Sequence, residues 1–163
     1  MQFRLTLDKY NTTISIYKMD IKFSVKQSYA VIAMLALLRH SETTPLKVTT
    51  IAKRHRMSTR FLSQVMGALK QAGFVRSVRG KAGGYALAKP PQQPIRLSEI
   101  LQAIAGAPVV GRPANASTAA QLLSEVETET NAALTQHLHA VTLQGLVDRL
   151  AQMEAGRAPM FHI

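Results

Sequence analysis

Apolar residues recur at helical spacing from Tyr29 onward, and Ile32, Ala33, Ala36 and Leu37 share its side. Ser24 is the expected N-cap of this first helix, which should end near His40 before the polar loop SETTP. A second, short helix, TIAKRH, would bury Ile51 and Ala52, with Thr49 as its expected cap. Ser58 is the expected cap of a third, TRFLSQVMGALKQA, which stops at Gly73. Met57 lies between the second and third helices, where a helix-turn-helix needs an apolar plug. On the third helix Phe61, Leu62, Val65, Met66 and Leu69 form one side. Arg60, Ser63, Gln64, Gly67 and Gln71 form the other, which is polar, small and free of acids. Gly67 is costly in a helix interior; close approach to something outside the chain would justify it, and a chance surface glycine is the plain alternative.

The period then changes. Residues 74–79 read as a strand, with Phe74, Arg76 and Val78 on a common face, and residues 85–88 read as its return. The turn between them holds Gly80, Lys81, Gly83 and Gly84. A helix-turn-helix followed at once by a two-stranded hairpin is a winged helix, mainly α with a small β-hairpin. Beyond Pro90, Pro91 and Pro94 a helix is expected from Ser98 to Ala105, with Gly106 as its stop, and GAPVVGRPANAS then reads as loop. From Thr118 the pattern is helical again. Leu123, Val126, Thr130, Ala133, His137 and Ala140 repeat at 3-4 spacing, widened by Leu122, Leu134, Leu138 and Val141. TLQGLVDRLAQM is a last amphipathic segment. The expected organisation is an N-terminal extension over 1–18, a winged helix-turn-helix DNA-binding domain over 19–106, a loop and dimerisation helices over 107–155, the first of them long, and a tail over 156–163.

Charge sharpens this picture. The chain has 163 residues, 47% of them apolar, and a net charge of +11. Residues 1–100 hold 17 Lys/Arg against 4 Asp/Glu, whereas residues 101–163 hold 3 against 5. Between Glu42 and Glu99 there are 11 basic residues and no acidic one. A solvated surface usually mixes signs, so an acid-free block points to a polyanionic partner; the plain alternative is a basic but inert face. With no cysteine, disulfides, thiolate zinc sites, cysteine-held clusters and a cysteine nucleophile are excluded, which fits a cytoplasmic protein. The longest apolar run, Tyr29 to Leu38, is half the roughly 20 residues that span a bilayer. Neither a membrane partner nor a signal peptide is expected.

Enzyme chemistry finds no support. Gly80-Lys81 is followed by alanine and a strand, whereas a Walker loop needs Ser/Thr and a helix. The glycine spacing also fails the dinucleotide fingerprint. His137 and His139 are two apart and point to different sides of a helix, and no paired carboxylates occur. No catalytic, cofactor or metal site is assigned. DNA uses the same residues without strain. Thr59, Arg60, Ser63 and Gln64 can donate to phosphates or base edges, and glutamine can bind adenine bidentately. The helix starts at Thr49 and Ser58 add partial positive charge. Lys26, Arg79 and Lys81 supply full charges, and the glycine amides of Gly80, Gly83 and Gly84, beside Tyr85, could form a nest for a phosphate oxygen. Leu123, Val126, Thr130, Ala133, Leu134, His137 and Val141 are the expected dimer seam, unless that stripe folds back on its own domain.

The segments MDIKFSVKQSYAVIAMLALLRH, TTIAKRHRMSTRFLSQVMGALKQAGFVRSVRGKAGGYALAKPP and IRLSEILQAIAG resemble the bacterial Rrf-two family of transcriptional regulators over roughly Met19 to Val147. The many fixed positions between Leu62 and Pro90 carry the resemblance. It implies a dimeric, cytoplasmic winged-helix protein that usually represses promoters, its long C-terminal helix crossing onto its twin. Some branches hold an iron–sulfur cluster with three cysteines in the loop before that helix. The corresponding loop here has none, so that function does not carry over. Other branches lack a cluster and read their signal through a partner enzyme. Gln64 matches the family's usual glutamine; Ser63 stands where many members have a glutamate, and Arg56 where a glycine is common. The expected function is therefore a homodimeric, duplex-DNA-binding repressor. A protein-interaction module and a structured-RNA binder are the rival readings.

Overall fold

A computed structural model of the chain describes residues 22–40, 44–88, 94–105 and 117–156. The extension over 1–18, the stop at Gly106, nearly all of the loop that follows and most of the tail lie outside the described residues. Six helices and one hairpin are described: α1 (Val25–Leu38), α2 (Val48–His55), α3 (Thr59–Gln71), β1 (Val75–Val78), β2 (Gly84–Leu87), α4 (Leu97–Ala105), α5 (Thr118–Ala140) and α6 (Leu143–Ala155).

Local chemistry sets several boundaries. Ser24 and Gln27 form a reciprocal capping box at the start of α1, with contacts of 2.9 and 3.2 Å. Ser58 caps α3 by accepting from the Phe61 amide at 3.4 Å. At the other end of α3, Gly73 takes φ +80. The Phe74 amide then reaches the Leu69 carbonyl at 3.0 Å and the Gly73 amide the Lys70 carbonyl at 3.1 Å, a Schellman closure. Helix α2 differs from expectation. Its N-cap is Lys47, which caps with no side-chain bond, and Thr49 lies inside the helix. The reason is non-local: Leu46 pairs with Tyr85 of the hairpin, which holds the chain extended up to Lys47. At its far end α2 closes on Arg56 in the left-handed region, φ 54 and ψ 45, at a cost on the order of 1 kcal/mol for a residue with a Cβ.

One core joins α1, α2, α3, β1, α4 and Leu143 at the start of α6. In α1 the buried residues are Ala30, Ala33, Met34, Ala36 and Leu37. Ile32, expected among them, is only half-buried. A helix this uniformly apolar offers no clear stripe, so its period cannot choose between neighbouring faces. Met57 packs against the core as a plug should, and Phe61 meets Tyr29 edge-on at 5.2 Å between ring centroids. In the hairpin, Val75 pairs with Leu87 and is the buried member of β1, whereas Arg76 is exposed. Val75 is the buried residue of the strand; of the expected common face, Phe74 is half-buried against the core, Val78 is half-buried and Arg76 is exposed. A four-residue strand is too short for alternation to settle which side packs.

The hairpin is tied to the helices by its backbone. The Leu46 amide donates to the Tyr85 carbonyl at 2.8 Å, and the Tyr85 amide donates to Leu46 at 2.9 Å. Gly84 makes this approach possible: a Cβ there would lie 2.6 Å from the Leu46 carbonyl oxygen. A second backbone clamp joins the start of α4, one residue before the expected Ser98, to the α5–α6 junction. Leu97 donates to Val141 at 2.9 Å and Leu143 to Ile95 at 2.8 Å. Arg96 adds a 3.2 Å bond to the His139 carbonyl, and the buried Ser98 hydroxyl lies 3.2 Å from His139 Nδ1. Helix α6 returns to α1, where Arg39 and Glu154 form a bidentate pair at 2.9 and 2.8 Å. Helix α5 buries none of its residues.

Two substitutions separate the glycines by their surroundings. Gly84→Ala should lower stability by about 1–3 kcal/mol in urea unfolding, because the methyl group meets backbone on a packed edge. Gly67→Ala, where a Cβ meets nothing within 4 Å, should raise it by about 0.5–1 kcal/mol. Equal effects at the two positions would contradict the packing described. The Arg39 hydrogen bond, with its charge, holds the Glu154 carboxyl below its ordinary value. Its stabilisation is therefore present above the unfolded carboxylate pKa, about 4.3, and is lost as pH falls through the lower folded value. Urea midpoints of wild type and Glu154→Gln should converge in that acid window, by a small margin because the pair is exposed. A gap that widens toward low pH would be the wrong sign.

Candidate nucleic-acid interface

Helix α3 presents Thr59, Arg60, Ser63, Gln64 and Gln71 on its exposed side. Its inner side, Leu62, Val65, Met66 and Leu69, is buried and fixes which residues face outward. Arg60 and Gln64 have no partner among the described residues, so their donors are free. Ser63 is less free: its hydroxyl donates to the Thr59 carbonyl at 2.9 Å, leaving its oxygen as an acceptor. Ser58 Oγ is already engaged by the Phe61 amide.

The wing brings Arg79, Gly80 and Lys81 to an exposed tip directly after β1. The glycine nest expected there takes a different form. The Gly83 amide donates to the Gly80 carbonyl at 2.8 Å and closes the turn, so it is not available to a phosphate. Gly80 supplies the φ of +112 that the turn needs. Gly84 and Tyr85 hold the wing to Leu46, and the Tyr85 ring packs against the core. Of the wing residues singled out from sequence, Arg79 and Lys81 thus offer free charge, while Gly83, Gly84 and Tyr85 shape the support.

Lys26 is exposed in the first turn of α1. Thr49 does not cap α2; it lines a concavity of about 560 Å³ with Thr50, Lys53 and Arg54. Sequence reasoning did not single out Thr50, Lys53 or Arg54. The i, i+4 spacing of Thr49 and Lys53, and of Thr50 and Arg54, within an acid-free run was the signal that could have found them. From residue 44 to 88 nine lysines and arginines are present, all exposed, with no carboxylate among them. His55 adds no charge at neutral pH, since shielding from water and the neighbouring Arg54 and Arg39 push its pKa down. A surface of this kind attracts polyanions over a distance set by salt.

On α5 the expected seam divides in two. Leu122, Leu123 and Val126 are 61%, 64% and 52% exposed, and Thr130, Ala133 and His137 are exposed as well. Leu134, Leu138 and Val141 are half-buried toward the clamped end. The clamped end of the stripe thus lies against α4 of its own domain, whereas its first half is uncovered among the described residues. Among the described residues no helix is long and apolar enough to cross a membrane.

The sequence profile of the Rrf2 family, described as iron-dependent transcriptional regulators, matches residues 23–149. The chain belongs to the Rrf2 family. It is a helix-turn-helix transcriptional regulator of that family rather than an enzyme. Similar proteins include an HTH-type transcriptional regulator of Neisseria meningitidis serogroup A, 31% identical over 145 residues that cover 86% of this chain and 97% of that one. The HTH-type regulator IscR of Cereibacter sphaeroides is 40% identical over 86 residues, 52% of this chain and 55% of its own. Among solved structures, CymR, the global cysteine regulator of B. subtilis, aligns with a TM-score of 0.65 at 27% identity, over 80% of this chain and 98% of that one. IscR of T. potens aligns with a TM-score of 0.64 at 29% identity, over 89% and 96%.

The iron in the family's description finds no matching donor set here. The Rrf2 chain has no cysteine, and residues 106–116, GAPVVGRPANA, contain no histidine, aspartate or glutamate either. The described residues gather no group of three metal-ligating side chains. Soft thiolate donors, which hold iron–sulfur clusters, are not available from this sequence.

Proposed function

We propose that this Rrf2 protein acts in the cytoplasm as a homodimeric, sequence-specific repressor that binds duplex DNA and holds no iron–sulfur cluster. The nine exposed lysines and arginines of residues 44–88, a run without a carboxylate that includes α2, α3 and the wing, carry the reading. In a winged helix, the second helix of the motif enters the major groove and the wing reaches the neighbouring backbone or minor groove. Arg60 and Gln64, without partners among the described residues, read base edges, with Ser63 as an acceptor. Thr59 and the start of α3 at Ser58 face phosphate, as do Thr49 and Lys26. Arg79 and Lys81 hold the wing on the backbone, and Gly80, Gly83, Gly84 and Tyr85 set its shape.

The bare stripe of α5 supports the dimer. Exposed leucines and a valine clustered on one helix are costly in water unless another surface covers them. A second copy covers them symmetrically and doubles the base contacts. In this reading residues 19–106 bind DNA and residues 107–155 pair the subunits, with 1–18 and 156–163 as appendages. Repression follows from occupancy: a dimer seated on promoter DNA excludes polymerase.

DNA fragments selected from a genomic pool by the purified protein supply the test duplex. Arg60→Ala and Gln64→Ala should each cost about 1–3 kcal/mol of affinity in fluorescence anisotropy and relax preference at one base position. Variants that bind the selected site as tightly as wild type would remove these residues from the readout. Preference for A-form RNA over the duplex would instead favour an RNA target. Sedimentation should give twice the chain mass of 17.8 kDa for wild type. Leu123→Asp with Val126→Asp should give the monomer mass while retaining the thermal transition, because α5 contributes nothing buried to the core. A monomeric wild type at micromolar concentration would contradict the pairing.

A further inference from the structure

Arg56 joins α2 to α3 and is the sole residue other than glycine with positive φ among the described residues. Its backbone sits in the left-handed well, φ 54 and ψ 45, which glycine or asparagine occupies more readily. The turn itself needs that conformation. It lets the Met57 amide reach the Ala52 carbonyl at 2.8 Å and aims Met57 at the core. It needs nothing from the arginine side chain, which is exposed and has no hydrogen bond or ion pair among the described residues. The fold is thus served by the backbone at this position, while the guanidinium is left to solvent.

The placement of that guanidinium is informative. In the chain it follows Lys53 and Arg54, which line the concavity on α2, and precedes Ser58, Thr59 and Arg60 at the start of α3. It belongs to the run of residues 44–88 that holds nine exposed lysines and arginines and no carboxylate. A favourable interaction with the C-terminal end of the α2 dipole is the competing explanation, but Lys53, Arg54 and His55 already occupy that last turn. Arginine matches a phosphate diester through two parallel N–H donors, which a lone surface cation does not require.

We propose that Arg56 is a phosphate-binding residue of the DNA interface, at a strained turn position where glycine would serve the fold better. The proposal rests on the DNA-binding reading above and adds a contact made between the two helices of the motif. Its role is to set the register of α3 in the groove rather than to read sequence, because phosphates carry no base identity.

The test compares full-length wild type with Arg56→Gly, Arg56→Asn and Arg56→Lys on the selected duplex and on a scrambled duplex, across a salt series. For Arg56→Gly and Arg56→Asn, the slope of log affinity against log salt should become shallower by about 0.9, the value of one phosphate. Affinity at 0.1 M salt should fall roughly eightfold, by the same factor on both duplexes. Arg56→Lys should retain most of the slope. The thermal transition of Arg56→Gly should lie at or above that of wild type. An unchanged salt slope in folded Arg56→Gly would overturn the proposal while leaving DNA binding intact. A loss on the selected duplex alone would also overturn it, since it would make Arg56 a base reader. A lower thermal transition would show that the side chain serves the fold, and the proposal would fall on that ground too. Failure of wild type to bind either duplex would defeat the DNA reading itself, and this proposal with it.

Discussion

Two backbone hydrogen bonds between Leu46 and Tyr85 determine what the rest of the surface can do. They attach the hairpin to the segment that enters α2, so the wing cannot swing independently of the helix-turn-helix. Packing of the Tyr85 ring and burial of Val75 reinforce the attachment from below. Gly84 is the condition for both bonds, because any side chain there would collide with Leu46. The same pairing sets the start of α2 at Lys47 and leaves Thr49 and Thr50 beside Lys53 and Arg54 on an open concavity. One non-local contact therefore positions the wing cations and the α2 cations relative to the outer side of α3.

A second clamp does comparable work at the opposite end. The short pairing of Arg96 with Thr142 ties the start of α4 to the junction of α5 and α6. Leu143 is drawn into the core, and α6 is returned to α1, where Arg39 meets Glu154. Helix α5 leaves this clamp with its apolar residues uncovered. The basic surface and the bare helix are thus held on one scaffold. In the proposed dimer, two copies would pair through this one element and present two positively charged faces. Charge is asymmetric along the sequence: five of the nine acids lie in residues 101–163, and residues 44–88 hold none.

Features made by neighbours in the chain are legible in the sequence. Ser24, Ser58 and Gly73 mark helix ends because each acts on amides or carbonyls within a few residues. The inner side of α3 and the hairpin after it follow from period alone. Features made across the chain are not legible. Nothing local distinguishes Lys47 from Thr49 as the start of α2; the pairing of Leu46 with Tyr85 decides it. Nothing in four strand residues shows that Val75, rather than Val78, faces the core. The glycines of the wing are visible as a motif, but the work of each is not. Gly83 closes the turn and Gly84 admits Leu46, so the charge at the tip is left to Arg79 and Lys81. The acid-free block is plain in the sequence, whereas the concavity on α2 and the left-handed turn at Arg56 need the fold.

Hydroxyl-radical footprinting of the protein on a selected duplex tests the central claim most directly. Two symmetric patches of protection should appear on one side of the helix, centred about 34–36 Å apart. A single patch, or protection without two-fold symmetry, would contradict a paired winged helix held together through α5.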